Sequence, residues 1–260
     1  MTAGAPEVDP AGPLDVAAVL FHEILDRPFL GLPSRHLVFF VLAGLVVLVI
    51  ARLALRGYRN GAPHGLASLV EILVLFIRDD VAVKVIGEDG RRFTPLLLSF
   101  FSFILVAALL GLLPFAPVST SNLAVALALA TVSFVAQQVA GIRKHGLAGH
   151  LRHLMPPGLP LWLLPIMVPI EILGMFTKPF ALMIRLFANM LAGHMVIATL
   201  LLLIPLLASI NPLFGWAVVP VSLTLALFIM LLEVLVAFIQ AFIFTLLTAI
   251  FIGLYTGPGH

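Results

Sequence analysis

No cysteine occurs anywhere in the chain. That absence excludes disulfides, thiolate metal sites and a cysteine nucleophile, and it leaves the redox compartment open. Charge is nearly as scarce. Asp, Glu, Lys and Arg make up 10% of the residues, against about 25% in soluble proteins. Neither an HExxH nor a GxSxG motif is present, which removes the common metalloprotease and serine-hydrolase constellations. Internal repeats and low-complexity segments are absent as well. The N-terminus, MTAGAPEVDPAG, has no basic region leading into an apolar core, so no cleaved signal peptide is expected. What the chain has in abundance is apolar surface: 62% of its 260 residues are hydrophobic and its mean hydropathy is +1.20. A chain of this length could bury a soluble core, but runs of about 18 or more apolar residues mark transmembrane helices. The expected class is therefore an all-α polytopic membrane protein. Its basic isoelectric point arises in the loops, so nucleic acid is not expected as a partner.

Punctuation along the chain predicts its organisation. Residues 1–35 form a Pro/Gly-rich leader containing the short amphipathic piece LDVAAVLFHEILDR, and residues 36–256 form one membrane domain. Spans are expected at 36–55, 93–113 and 121–141. Between the first two, residues 66–86 carry Glu71, Arg78, Asp79, Asp80 and Lys84. That is too much charge for a span, so this segment is expected to lie on the membrane surface as an amphipathic helix. GEDGRR reads as a turn, and IRKHGLAGHLRHLMPPGLP as a polar loop. Its histidines 145, 150 and 153 have no metal-ligand spacing, and a solvated loop is the simpler reading.

Ten of the fourteen Lys and Arg residues cluster after the first and third spans. Three spans precede residue 143, so both clusters lie on one side. The positive-inside rule makes that side cytoplasmic, with the N-terminus outside and the C-terminus inside.

Two apolar stretches remain, 160–209 and 213–256, each about twice the ~20 residues that an upright span needs. Neither has a polar turn cluster near its middle, only single prolines such as Pro179 and Pro220. They are expected to form one long, strongly tilted helical hairpin turning at Asn211-Pro212. From residue 154 onward its only Asp, Glu, Lys and Arg are Glu171, Lys178, Arg185 and Glu233. Arg185 poses the sharpest problem. A guanidinium stays charged and costs roughly 2.5–3.5 kcal/mol at a bilayer centre, yet no carboxylate lies within two helical turns of it in sequence. Glu171, Lys178 and Arg185, spaced by seven, lie on nearly one face, and Asn189 extends it. His194, nine residues after Arg185, points the other way. Antiparallel packing should place Arg185 near the depth of Gln240 and His194 near that of Glu233, because the two offsets are ~13 and ~10 Å at ~1.5 Å per residue. Glu171 and Lys178 either pair with each other or approach the cytoplasmic surface. A structural arginine bonded to backbone carbonyls, a packed histidine and an interhelical glutamine are the plain alternatives. Glu233 resists a plain reading, since an unpaired carboxylate in FIMLLEVLVAFIQAF would be costly or protonated.

KPFALMIRLFANMLAGH followed by EVLVAFIQAFIFTLLTAIFIGLY resembles the signature hairpin of subunit a of F-type ATP synthases, the membrane stator beside the rotor ring. Arg185, Asn189 at +4, a titratable group at +9 and a second one seven before Gln-Ala-Phe-Ile-Phe carry the match. FTPLLLSFFSFILVAALLGLLPF and STSNLAVALALA resemble the earlier spans, so the likeness covers residues 36–256. One feature departs from many bacterial members. They carry Glu at +9 and His on the last helix, whereas His194 and Glu233 here have the order typical of mitochondrial members.

The resemblance implies two proton half-channels separated by Arg185, whose missing counter-charge is a carboxylate on another polypeptide, the ring of subunit c. His194 and Glu233 would line the outer half-channel with Gln240 and Asn189 nearby, and Glu171 would lie towards the cytoplasmic one. It implies no cofactor, no metal and no catalytic site in this chain. Implied partners are the subunit c ring, the peripheral-stalk subunit b, the remaining ATP synthase complex and lipid, in a bacterial plasma (inner) membrane. Two other classes compete. A proton-coupled secondary transporter should show inverted repeats and broken helices, and a membrane enzyme needs a nucleophile or metal constellation. Neither signature is found.

Overall fold

The computed structural model describes residues 35–57, 64–112, 123–153 and 164–256, all in helices and short connections. The leader expected at 1–35 lies almost wholly outside them. Helix α1 spans Arg35–Arg56, and α2 spans Leu66–Leu75. The latter runs on through a π-helical stretch, Phe76–Val83, into the single turn α3, Lys84–Ile86. A 3-10 turn at Glu88–Phe93 leads into α4 (Thr94–Gly111), followed by α5 (Leu123–His153), α6 (Leu164–Ile210) and α7 (Pro212–Thr256). Among the described residues, five helical segments are long and apolar enough to cross a membrane. The protein is an all-α, polytopic membrane protein.

The last two helices decide the architecture. Helix α6 continues for 47 residues through Pro169, Pro179 and Pro205, and α7 for 45 residues through Pro220. Each proline removes one intrahelical bond and bends its helix without ending it. The chain reverses at Asn211, whose carbonyl accepts from the amides of Phe214 and Gly215 while its Oδ1 accepts from the Leu213 amide at 2.9 Å. That side-chain bond caps the first turn of α7, where Pro212 needs no donor. A Cβ on Gly215 would collide with Ala208, so glycine permits the tight approach at the hairpin tip. Two helices joined by one residue exclude four upright spans.

Among the described residues, the larger of two apolar clusters gathers one face of each inner element. Leu97, Phe101 and Ile104 of α4 meet Ala126 and Ala130 of α5, Leu182 and Leu186 of α6, and Ala241, Phe244 and Ala249 of α7. The π stretch adds Ile77, Val81 and Ala82, which its wider turn brings to one side. Its charges remain on the other side, where Arg78 bonds Asp79 at 2.8 Å and Lys84 bonds Asp80. Arg78 holds the exposed Asp79 carboxyl below the usual carboxylate range through that hydrogen bond.

The polar loop expected after residue 141 is helical as far as it is described: α5 extends to His153, broken at Gly146, whose φ of 71° and ψ of 170° leave the helical region, and the rest of the expected loop lies outside the described residues. Glycine enters positive φ without steric cost and can end one helix while a second begins. The basic run Arg143-Lys144-His145 occupies the end of the first piece, where cations meet the helix carbonyls favourably. GEDGRR, expected as a plain turn, is the 3-10 turn, entered through Gly87 at φ 93°.

Candidate functional site: an exposed arginine on the hairpin

Arg185 stands on the outer face of α6. Its neighbours one, two and three residues away, Leu186, Met183 and Leu182, are buried in the core, while Arg185 itself is exposed. The exposed stripe around it runs Ala181, Arg185, Ala188 and Ala192, at helical spacing. No ion pair joins Arg185 to another described side chain. The guanidinium is thus presented outward from a collar of small residues, a surface that another helix could approach closely.

One turn further along, Asn189 donates from Nδ2 to Gln240 Oε1 at 2.9 Å. Gln240 is almost fully buried at 2% exposure, so this bond satisfies an amide that would otherwise be costly in an apolar surrounding. Further along the same hairpin, the two helices close with Gly193 against Glu233. A Cβ on Gly193 would overlap the Glu233 carboxylate. The missing side chain leaves room for that carboxylate between the helices. Glu233 Oε2 is buried without a hydrogen bond from a described residue. His194 follows Gly193 directly and is half-buried, so the structure brings the histidine and the carboxylate to the same turn of the hairpin.

Lys178 is more enclosed than Arg185. It is half-buried, and its Nζ lies 5.4 Å from the Phe251 ring centroid and 5.6 Å from that of Tyr255. Two aromatic faces of α7 solvate the ammonium by cation–π attraction. Glu171 lies on α6, and its side chain is outside the described residues. Among the described residues, no group of three or more potential ligands is disposed to hold a metal.

Two features went unread in the sequence. Gly193 is one; a glycine directly before a titratable residue in an apolar helix was the available signal. The other is a buried polar seam joining α5 to α7. Ser133 Oγ lies 2.9 Å from Thr248 Oγ1, and Gln137 Nε2 donates to Ser133 Oγ at 3.0 Å. The i, i+4 spacing of Ser133 and Gln137 within apolar sequence was its only sign.

Comparison with known proteins adds to this geometry. The family model described as ATP synthase A chain matches residues 37–253. A protein of Myxococcus xanthus named ATP synthase subunit a is 50% identical over 232 residues, covering 87% of this chain and 74% of its own length. Its namesake from Anaeromyxobacter dehalogenans is 50% identical over 226 residues, covering 85% of this chain and 57% of its own length. That of Chlorobium phaeobacteroides is 43% identical over 267 residues, covering 93% and 76%. Several relatives are therefore considerably longer than this chain.

Proposed function

Because the chain belongs to the ATP synthase A-chain family, and so forms part of the ATP synthase complex in a bacterial membrane, we propose that Arg185 is the fixed charge that works against carboxylates on a rotor ring of subunit c. The observation that carries this reading is an exposed arginine with no ion pair among the described residues, set among small residues on a membrane helix. At ~4 Å and an effective dielectric of ~20, its charge would stabilise a facing carboxylate anion by ~4 kcal/mol, or about 3 pKa units. A protonated ring site approaching Arg185 must release its proton before it passes. The same charge repels a proton that would otherwise leak straight across. His194 and Glu233 hand protons to the ring from the outer side, Asn189 and Gln240 brace the helices between, and Glu171 lies on the cytoplasmic exit. Each proton falling through ~100 mV supplies ~2.3 kcal/mol, released as rotation rather than as chemistry within this chain. The N-terminus is outside and the C-terminus cytoplasmic, as the basic clusters require. Subunit b is the expected stalk partner.

Replacing the charge tests the proposal. In membranes carrying Arg185→Ala, proton-driven ATP synthesis should fall to background while the complex still assembles. Arg185→Lys should fail too, since an ammonium lacks the planar fork and loses its proton more readily when desolvated. Normal synthesis rates in either variant would refute this role.

A further inference from the structure

A cavity of about 420 Å3 is lined by the 3-10 turn, α5 and the last residue of α7, Thr256. Arg92, Arg143 and Lys144 supply its positive charge, and Phe93, Val139 and Ala140 its apolar wall. Asp89 also lines it, but this carboxylate is already engaged by Lys144 at 2.7 Å. Arg92 and Arg143 are left over. Both are exposed, and neither forms an ion pair with a described residue. Two guanidiniums that form no ion pair with a described residue thus face one cavity of ligand-binding size, whose lining stays net positive although Arg92 lies within Coulombic reach of Asp89.

We propose that this cavity holds the phosphodiester head of an anionic phospholipid. The guanidinium fork matches phosphate oxygens two at a time, in a way that an ammonium cannot. The wall identifies the lipid rather than a soluble phosphate as the source. Val139 is both a lining residue and 39% exposed on the outer face of its membrane helix, so an acyl chain leaving the cavity continues along apolar surface. Basic recesses where membrane helices end are the usual seats of acidic lipid heads. An acidic peptide would satisfy the arginines but would gain little from the apolar wall.

Because the chain lacks cysteine, Val139→Cys in the assembled complex can carry a benzophenone maleimide at the cavity wall. The complex is reconstituted in vesicles of phosphatidylcholine with a minor share of phosphatidylglycerol, each labelled in turn, and the lipid photo-attached to this chain is counted. Phosphatidylglycerol should attach about fivefold above its share relative to phosphatidylcholine. Arg92→Gln with Arg143→Gln should abolish that excess, and Arg92→Lys with Arg143→Lys should keep part of it. Arg52→Gln with Arg56→Gln, which removes the same charge from exposed α1 sites, should leave it intact. Equal attachment of both lipids, an excess that survives the double glutamine variant, displacement of the lipid by millimolar inorganic phosphate, or attachment to a protein in place of lipid would each overturn the proposal. The readout is independent of proton transport, so this site can fail while Arg185 stands.

Discussion

The two halves of α7 differ sharply although their hydrophobicity is alike. From Pro212 to Val236 only Gly215, Ser222 and Ala226 are buried, all of them small. From Ala237 to Thr256 ten residues are buried, Gln240, Phe244, Thr245, Thr248 and Tyr255 among them. The inner half is enclosed by α4, α5 and α6. The outer half touches little besides its own hairpin partner, and Leu213, Trp216, Leu227 and Leu231 are all exposed. In lipid such exposure costs nothing, because the hydrocarbon is as apolar as leucine. Burial in this chain therefore reports on helix packing and says little about solubility. Glu233 and Gly193 lie at the boundary between the two regimes, where the packed bundle gives way to a bare hairpin.

Enlarging a residue in the inner half should have the largest effect of the substitutions that probe this contrast. Ala241 is fully buried against the core, and Ala241→Leu should lower the melting temperature and the yield of assembled complex, at an overpacking cost of ~1–3 kcal/mol. Leu227→Ala, the same change in volume with the opposite sign in the outer half, should leave both unchanged. Equal losses would show that the outer half is packed after all.

At the boundary, Gly193→Ala should displace the Glu233 carboxylate and slow proton-driven ATP synthesis about tenfold without reducing assembly; a factor of ten corresponds to ~1.4 kcal/mol. Glu233→Asp, shorter by one methylene, should restore part of the rate in the Gly193→Ala background. Proton-flux measurements on the three variants check this, and unchanged flux in Gly193→Ala would remove Glu233 from the path.

The smallest effect concerns the bond just inside the boundary. Asn189→Ala and Gln240→Ala should each destabilise the chain modestly. Their double-mutant cycle should show a coupling of ~0.6 kcal/mol, the average for polar pairs within membranes. A coupling of zero would mean that the bond is replaced by other partners.

How much of this was legible beforehand follows from the physics of each signal. The hairpin could be read because its length conflicts with bilayer thickness and because Asn211-Pro212 is its one polar break. Arg185 stood out because charge is costly in hydrocarbon whatever the fold. The helical continuation of α5 past residue 141 was hidden, since polarity ends a membrane span without ending a helix. The π stretch was hidden for a related reason: its charges give the same polar pattern in any helix type. Spacing sets Lys178 near the face of Arg185 but cannot show that Phe251 and Tyr255, over seventy residues later, lie against its ammonium. The close approach of Gly193 to Glu233 was hidden as well. A missing side chain leaves no trace in a pattern of charges.

The uncommon length of α6 also sets how steeply the membrane potential is sampled. A helix of 47 residues is about 70 Å long. If its two ends occupy opposite faces of a bilayer ~45 Å thick with head groups included, each residue advances only about 1 Å in depth. The nine residues from Arg185 to His194 then span about 9 Å along the membrane normal and about 10 Å parallel to its plane. Across a ~30 Å hydrocarbon layer that depth intercepts roughly a third of the voltage, or about 0.7 kcal/mol per 100 mV. Displacement between these two levels is therefore divided almost equally between the membrane plane, along which the potential is constant, and the membrane normal.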